Sequence, residues 1–304
     1  MDWVTALLEA TVRAATPLAL AALGELLIER GGQINIGLEG SVLAGALGAA
    51  IVAEPLGAHA GLLGGAAAGA LIGALFAVFT IALRTDQIIT GTALTLLVLG
   101  TTGALARTLF SERGIALTLP MLPVNPIPGL QSIPVLGPAL FAQPYIAYFA
   151  VLLAIGIHWW LTRTHAGLAL RAVGESRENA RVAGIQVDRV QWAAVLVGSL
   201  LAGISGAVLV LAQSGTFVEG MSAGRGFIAI AIVALGRWRP LPVLLAALLF
   251  GATTAAQYTA QTFGWTMPYQ VFLAAPYLAT LIVLFLSARR LSPASLSQRG
   301  PSLA

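Results

Sequence analysis

The chain has no cysteine and no lysine, and charge of either sign is scarce, with Asp, Glu, Lys and Arg making up 9% of 304 residues. Absent cysteine excludes disulfides, thiolate metal sites and cysteine nucleophiles, and leaves the redox compartment open. Absent lysine excludes the GxxxxGK[ST] loop that holds nucleotide phosphates, so any ATP used through such a loop is bound by another polypeptide. A hydrophobic content of 58% and a mean hydropathy of +0.89 leave too little polar surface to cover a soluble globule. The chain therefore reads as an integral membrane protein. Its net charge of +4 comes from arginines at span edges, and no aromatic-interleaved basic patch points to nucleic acid.

Several apolar stretches reach the roughly 20 residues a helix needs to cross about 30 Å of hydrocarbon, and period-2 alternation is weak, which favours an all-α helical bundle over a barrel. The reading gives about nine spans (8–10), at residues 4–28, 34–53, 61–83, 88–109, 145–161, 192–212, 226–235, 241–261 and 268–286, the seventh short enough to be broken or re-entrant. The first follows Met1-Asp2 without a basic start or a cleavage site, so it is expected to remain in the mature protein as part of a single domain over 1–304. Placing the hydrophilic loop 162–191 in the cytoplasm puts twelve of the sixteen arginines inside, with the N-terminus outside and the C-terminus inside.

The longest non-cytoplasmic connection, 110–144, carries six prolines between Pro120 and Pro138 and is expected to be a stiff cap or loop, not a span. Gly61, Gly65, Gly69 and Gly73 recur every four residues and predict a close helix–helix contact. Gly220-Met-Ser222-Ala-Gly224 and Gly203-Ile-Ser205-Gly206 match serine-hydrolase patterns. Yet His59, His158 and His165 all lie upstream of both serines, and no strand-turn-helix setting surrounds them. The histidines lack the HExxH spacing of a metal site.

Polar residues at or within spans are better candidates, because they face a cavity or a partner. Asn35, Glu39, Asp86, Gln87, Gln257 and Gln261 form the candidate pathway set; Glu9 and Arg13 are spaced to pair on one helix face. In GELLIERGGQINIGLEGSVLAGA, Asn35 is expected to cap the second span, whose first turns Gly37 and Gly40 weaken.

The loop 162–191 holds five arginines. Ser176 can N-cap a short helix over 177–183 with Glu178 at its positive end, and Gly184 supplies the left-handed position after it, with Ile185 as the apolar contact beyond. Such a rod, roughly 10 Å long, is too short to stand alone, so a groove on another protein is its expected holder. The alternative is a loop that only sets topology.

At two segments the chain resembles a permease subunit of ATP-binding-cassette importers, in the branched-chain amino acid/ribose permease superfamily. ERGGQINIGLEG is similar to the ERxGxxNxGxEG start of the nucleoside and simple-sugar permeases served by basic-membrane-protein-type lipoproteins, and LRAVGESRENARVAGIQV to the family's coupling loop, usually RAxGxNxxAAxxxGI. Arg171, Gly174, Ala180, Gly184 and Ile185 match; Ser176 replaces the common Asn, and Asn179 stands where Ala is frequent. DQIITGTALTLLVLG resembles the fourth-span region.

The resemblance implies a non-catalytic permease with Arg171, Gly174, Glu175, Ser176, Arg177, Glu178, Asn179, Ala180, Arg181, Ala183, Gly184 and Ile185 as the ATPase-coupling set. It implies a second permease subunit, expected to differ from this one, a cytoplasmic ABC ATPase carrying ATP and Mg, an external substrate-binding lipoprotein, and a bacterial-type cytoplasmic membrane. Glu39-Gly40-Ser41 and Glu219-Gly220-Met221-Ser222 form a faint echo of an inverted repeat. The alternatives are an ion-gradient transporter using acids such as Glu39 or Asp86 and, more remotely, an intramembrane serine protease.

Overall fold

Lipid offers no hydrogen bonds, so long apolar runs satisfy their backbones internally as helices. A computed structural model of the chain describes residues 2–110, 118–131 and 133–262. Among these residues the fold is all-helical, with one isolated β-bridge between Val124 and Pro144. The helices are α1 (Asp2–Arg30), α2 (Leu38–Leu56), α3 (Ala58–Ala77), α4 (Gln87–Phe110), α5 (Leu136–Phe141), α6 (Tyr145–Arg163), α7 (His165–Glu175), α8 (Arg177–Val182), α9 (Val187–Val208), α10 (Arg225–Leu235) and α11 (Pro240–Thr262). π-helical turns extend α3 over Val78–Ala82 and α9 over Leu209–Ser214. Seven of these helices are long and apolar enough to cross a membrane, so the chain is a multi-pass membrane protein. The expected ninth span, 268–286, lies outside the described residues.

α10 is the short seventh crossing of the sequence reading. Its 11 residues give a rod of roughly 16 Å, about half the hydrocarbon thickness. The second span starts later than expected, at Leu38 instead of 34. Residues 31–37 stay irregular because α1 ends in a Schellman turn at Gly32 (φ +75°), where the Gln33 amide donates to Ile28 O at 3.2 Å and the Gly32 amide to Glu29 O at 3.0 Å. Asn35 does not cap α2: the cap position is Gly37, and the Asn35 side chain is drawn instead to Ser199.

α9 is the axis of the bundle and packs on α1, α2 and α3. Glycine makes this possible. A methyl on Gly203 would overlap the carbonyl oxygen of Gly65 and sit 2.8 Å from the Cα of Gly69, while Gly45 and Gly206 of α2 and α9 meet backbone in the same layer. The expected ladder thus serves two neighbours, with Gly65, Gly69 and Gly73 against α9 and Gly61 against α2 and Leu211. Pro17, inside α1, leaves the carbonyl of Arg13 without its helical donor, and Gln213 supplies one at 2.7 Å. Glu9 and Arg13 pair as expected at 2.6 Å.

The described parts of the Pro-rich connection form no span. Leu119 and Leu122 donate backbone bonds of 2.8 and 2.7 Å to Gly215 and Leu211, which ties this segment to the end of α9's π-helical extension. Ser205 is buried and donates to the Pro17 carbonyl at 2.7 Å, and His59 is engaged with Tyr145 at 3.0 Å. The serine's hydrogen is committed to structure, not to a base.

Replacing Gly203 by Val is expected to overpack the α3–α9 contact and cost about 1–3 kcal/mol or more, lowering the thermal midpoint of the detergent-solubilised protein. Gly100→Ala, where an added methyl meets nothing within 4 Å, should leave the midpoint unchanged or raise it by the helix propensity gained, about 1 kcal/mol.

Candidate functional site

The Gly31, Gly32 and Gln33 amides turn back onto α1, and beyond them residues 31–37 carry backbone groups through the bundle interior that side chains from other elements can meet. Different elements supply them in turn. The Gly31 carbonyl accepts from Gln191 Nε2 of α9 at 2.8 Å, and the Gly32 carbonyl from Arg177 Nη2 of α8 at 3.2 Å. Gln87, the first residue of α4, reads two neighbours at once: its amide nitrogen donates to Gln33 Oε1, and its Oε1 accepts from the Ile34 N–H at 3.1 Å. The Asn35 N–H donates to Glu25 Oε1 at 2.9 Å, and its side-chain nitrogen lies 3.4 Å from Ser199 Oγ. Glu25, Gln33, Asn35, Gln87, Gln191 and Ser199 are all buried. This strap is where α1, α4, α8 and α9 meet.

Glu39, the second residue of α2, continues the pattern. Its two carboxylate oxygens accept from the Gly224 and Gly226 amides at 2.8 and 2.6 Å, which caps the start of α10. A carboxylate at a helix N-terminus is favoured by the exposed N–H groups and by the dipole. Gly226 packs directly on the Glu39 backbone, so the starts of α2 and α10 touch inside the bundle.

The end of α1 is clamped from the other side. Arg30 Nε and Nη2 donate to the Trp238 carbonyl at 2.9 and 2.6 Å, and Trp238 Nε1 donates to Glu29 Oε2. Arg237 and Trp238 both have φ +53°, a left-handed conformation that costs roughly 1–2 kcal/mol per residue with an L side chain, and the clamp holds it.

The loop that rests on the strap is built largely as its local signals predict. Thr164 caps α7 by accepting from the Gly167 N–H at 3.1 Å, and Ser176 caps α8 by accepting from Asn179 at 3.3 Å. α8 closes in a Schellman turn: the Ile185 N–H reaches Ala180 O and the Gly184 N–H reaches Arg181 O, both at 2.9 Å, with Gly184 at φ +80°. The helix ends at Val182, one residue before the expected boundary.

α8 is held on one side by its own chain, where Ala180 packs with Val173 and Val187, flanked by Ile185. Its other side is bare: Glu178, Asn179, Arg181, Ala183 and Gly184 are exposed, and Val182 is 86% exposed; a groove of about 380 Å³ is lined by Arg181, Ile185 and Asp188 among others. Arg171, Gly174 and Glu175 lie on α7, where Gly174 presses on the Arg30 carbonyl and Arg171 and Glu175 reach Arg30 electrostatically.

Of the expected pathway residues, the structure brings Asn35, Glu39 and Gln87 into one bonded region. Asp86 stands beside it as the cap of α4, accepting from Ile88 and Ile89 at 2.8 and 3.0 Å. Gln257 lies apart on α11, half-buried, and the side chain of Gln261 lies outside the described residues. Sequence reasoning missed Glu25, Glu29, Gln33, Gln191, Ser199 and Trp238. Two acids four residues apart inside an apolar span were the available signal for the first pair; the others are single polar residues whose partners lie up to 209 positions away.

Comparison with known proteins agrees with this architecture. The family model described as branched-chain amino acid transport system / permease component matches residues 7–286. A Haloferax volcanii protein named, provisionally, a glucose ABC transporter permease is 37% identical, covering 93% of this chain and 92% of its own length. The nucleoside ABC transporter permease protein of Lactococcus lactis subsp. cremoris is 35% identical over 89% of this chain and 88% of its own. The guanosine ABC transporter permease protein of Bacillus subtilis is 33% identical over 90% and 89%. No solved structure matches the chain. A family model that spans nearly the whole sequence, on a bundle of membrane-crossing helices with a capped loop helix, places the chain in the branched-chain amino acid transport system permease family.

Proposed function

We propose that this permease is the membrane subunit of an ATP-driven importer for nucleosides or related simple sugars, and that α8 is the helix on which a separate cytoplasmic ATPase acts. The observation that carries this reading is α8 itself, sealed at both ends and bare on one side, with the loop around it bonded straight to the strap. A pushed element has to be rigid and connected, and this one is both. The missing lysine fits an ATP-binding loop on another chain.

In this reading α7 and α8 face the cytoplasm, the N-terminus lies outside, the ninth span over 268–286 returns the C-terminus inside, and the membrane is a bacterial-type cytoplasmic membrane. α2 and α10 are each entered by an irregular segment and start against one another, an arrangement expected of an inverted repeat around a midplane site. A second permease subunit and an external binding lipoprotein complete the assembly. The nucleoside and guanosine names of two relatives, with ERGGQINIGLEG, favour nucleosides over glucose as cargo. Proton sites at Glu39 or Asp86, as an ion-gradient transporter would use, are disfavoured by bonding that already engages both carboxylates.

Uptake of labelled guanosine by cells expressing the full transporter tests the assignment. Gly184→Val forces a β-branched residue to φ +80°, at about 1–3 kcal/mol of strain, and is expected to cut uptake roughly tenfold or more with membrane insertion unchanged. Glu178→Ala with Asn179→Ala removes exposed contacts only and should give the same loss of uptake with an unchanged thermal midpoint. Normal uptake in both variants overturns the role of α8, and uptake of glucose but not guanosine overturns the cargo.

A further inference from the structure

α4 is the least supported of the long helices. It packs on α2 along one face and barely on α3, and the rest of its length is exposed apolar surface. Its two ends are tied by polar contacts to the two irregular segments. At one end Gln87 bonds Gln33 and the Ile34 amide in the strap. At the other, Arg107 Nε and Nη2 reach Glu219 at 2.8 and 3.2 Å, in the segment that leads to α10. The two ties differ in kind. Arg107 and Glu219 are exposed, so their attraction is screened and their geometry yields. Gln87 and Gln33 are buried, and a buried amide pair holds its geometry because either partner left alone pays the full cost of desolvation.

The strap residues next to Gln33 are the ones the loop holds: Gly32 by Arg177 at the start of α8, and Gly31 by Gln191. Two hydrogen bonds therefore separate the first residue of α8 from the first residue of α4. We propose that Gln87, acting through Gln33 and the Ile34 amide, is the positioning residue that makes the α7–α8 end of α4 follow the coupling helix, so that this end of α4 moves whenever α8 is displaced. The inference rests on the ATP-driven reading above.

The test uses the transporter assembled with its ATPase and binding protein, in lipid nanodiscs, with guanosine as the probe. The double variant Gln33→Met with Gln87→Met removes both side-chain amides together and leaves only the Ile34 N–H without its acceptor, so it is expected to fold with a modestly lowered thermal midpoint. Its basal ATP hydrolysis should stay within twofold of wild type, while stimulation by guanosine-loaded binding protein falls to about one-fold, that is, no stimulation. Spin labels at Ile89→Cys and Leu71→Cys, introduced into a chain that has no cysteine, should show an ATP-dependent distance change that the double variant loses. Gln87→Glu still accepts from the Ile34 N–H and from the Gln33 amide once that side chain turns over, and is expected to keep stimulation. Full stimulation and an unchanged distance response in the double variant overturn the inference alone. Wild-type hydrolysis that ignores the loaded binding protein overturns the ATP-driven reading and the inference with it.

Discussion

An irregular stretch of backbone inside a membrane bundle is tolerated only if every exposed N–H and C=O finds a partner, and the run from Gly31 to Gly37 sets that demand here. The rest of the interior is arranged around meeting it. Glu25, Gln87, Gln191 and Ser199 come from three different helices, and each supplies the strap with a bond that an apolar side chain could not. Because α4 and α8 otherwise touch the closely packed α1 and α9 little, the strap joins these four elements at a single place. Glu39 extends the same connection to α10.

Around this polar line the bundle divides into a stiff part and a looser part. α1, α2, α3 and α9 approach through glycine faces so closely that backbone meets backbone, and contacts of that kind have few alternative arrangements. α4 has no such face beyond Gly91, which fits over Gly37. α8 has only a small apolar cluster beneath it. A rigid frame with two lightly held elements joined by hydrogen bonds is what a transporter needs in order to rock between states without losing its core. The left-handed Arg237-Trp238 turn, held by Glu29 and Arg30, fixes the remaining corner of the frame next to the loop.

What the sequence made legible follows from the range of the interactions involved. The helices, the shortness of α10, the glycine ladder and both caps of α8 are local, written in residues three to five positions apart, and the structure places them within a few residues of expectation. Asn35 was misread because a local rule, capping, competes with a distant serine that no spacing reveals, and the late start of α2 follows from the same competition. The bare side of α8 was expected, but its own-chain support was not, since Val173, Ala180 and Val187 are isolated apolar residues in a charged stretch. The strap was half visible: its glycines and its Asn35 and Glu39 drew attention, while Gln33 and Gln191 looked like ordinary polar residues at helix ends.

The claim that side chains of α1 and α4 engage the strap backbone at Ile34 and Asn35 inside the bundle is tested most directly by residue-resolved amide hydrogen exchange on the reconstituted protein. The Ile34 and Asn35 amides, which donate to Gln87 and Glu25, are predicted to exchange as slowly as amides in the middle of α1. Exchange at the rate of an open loop would contradict the account.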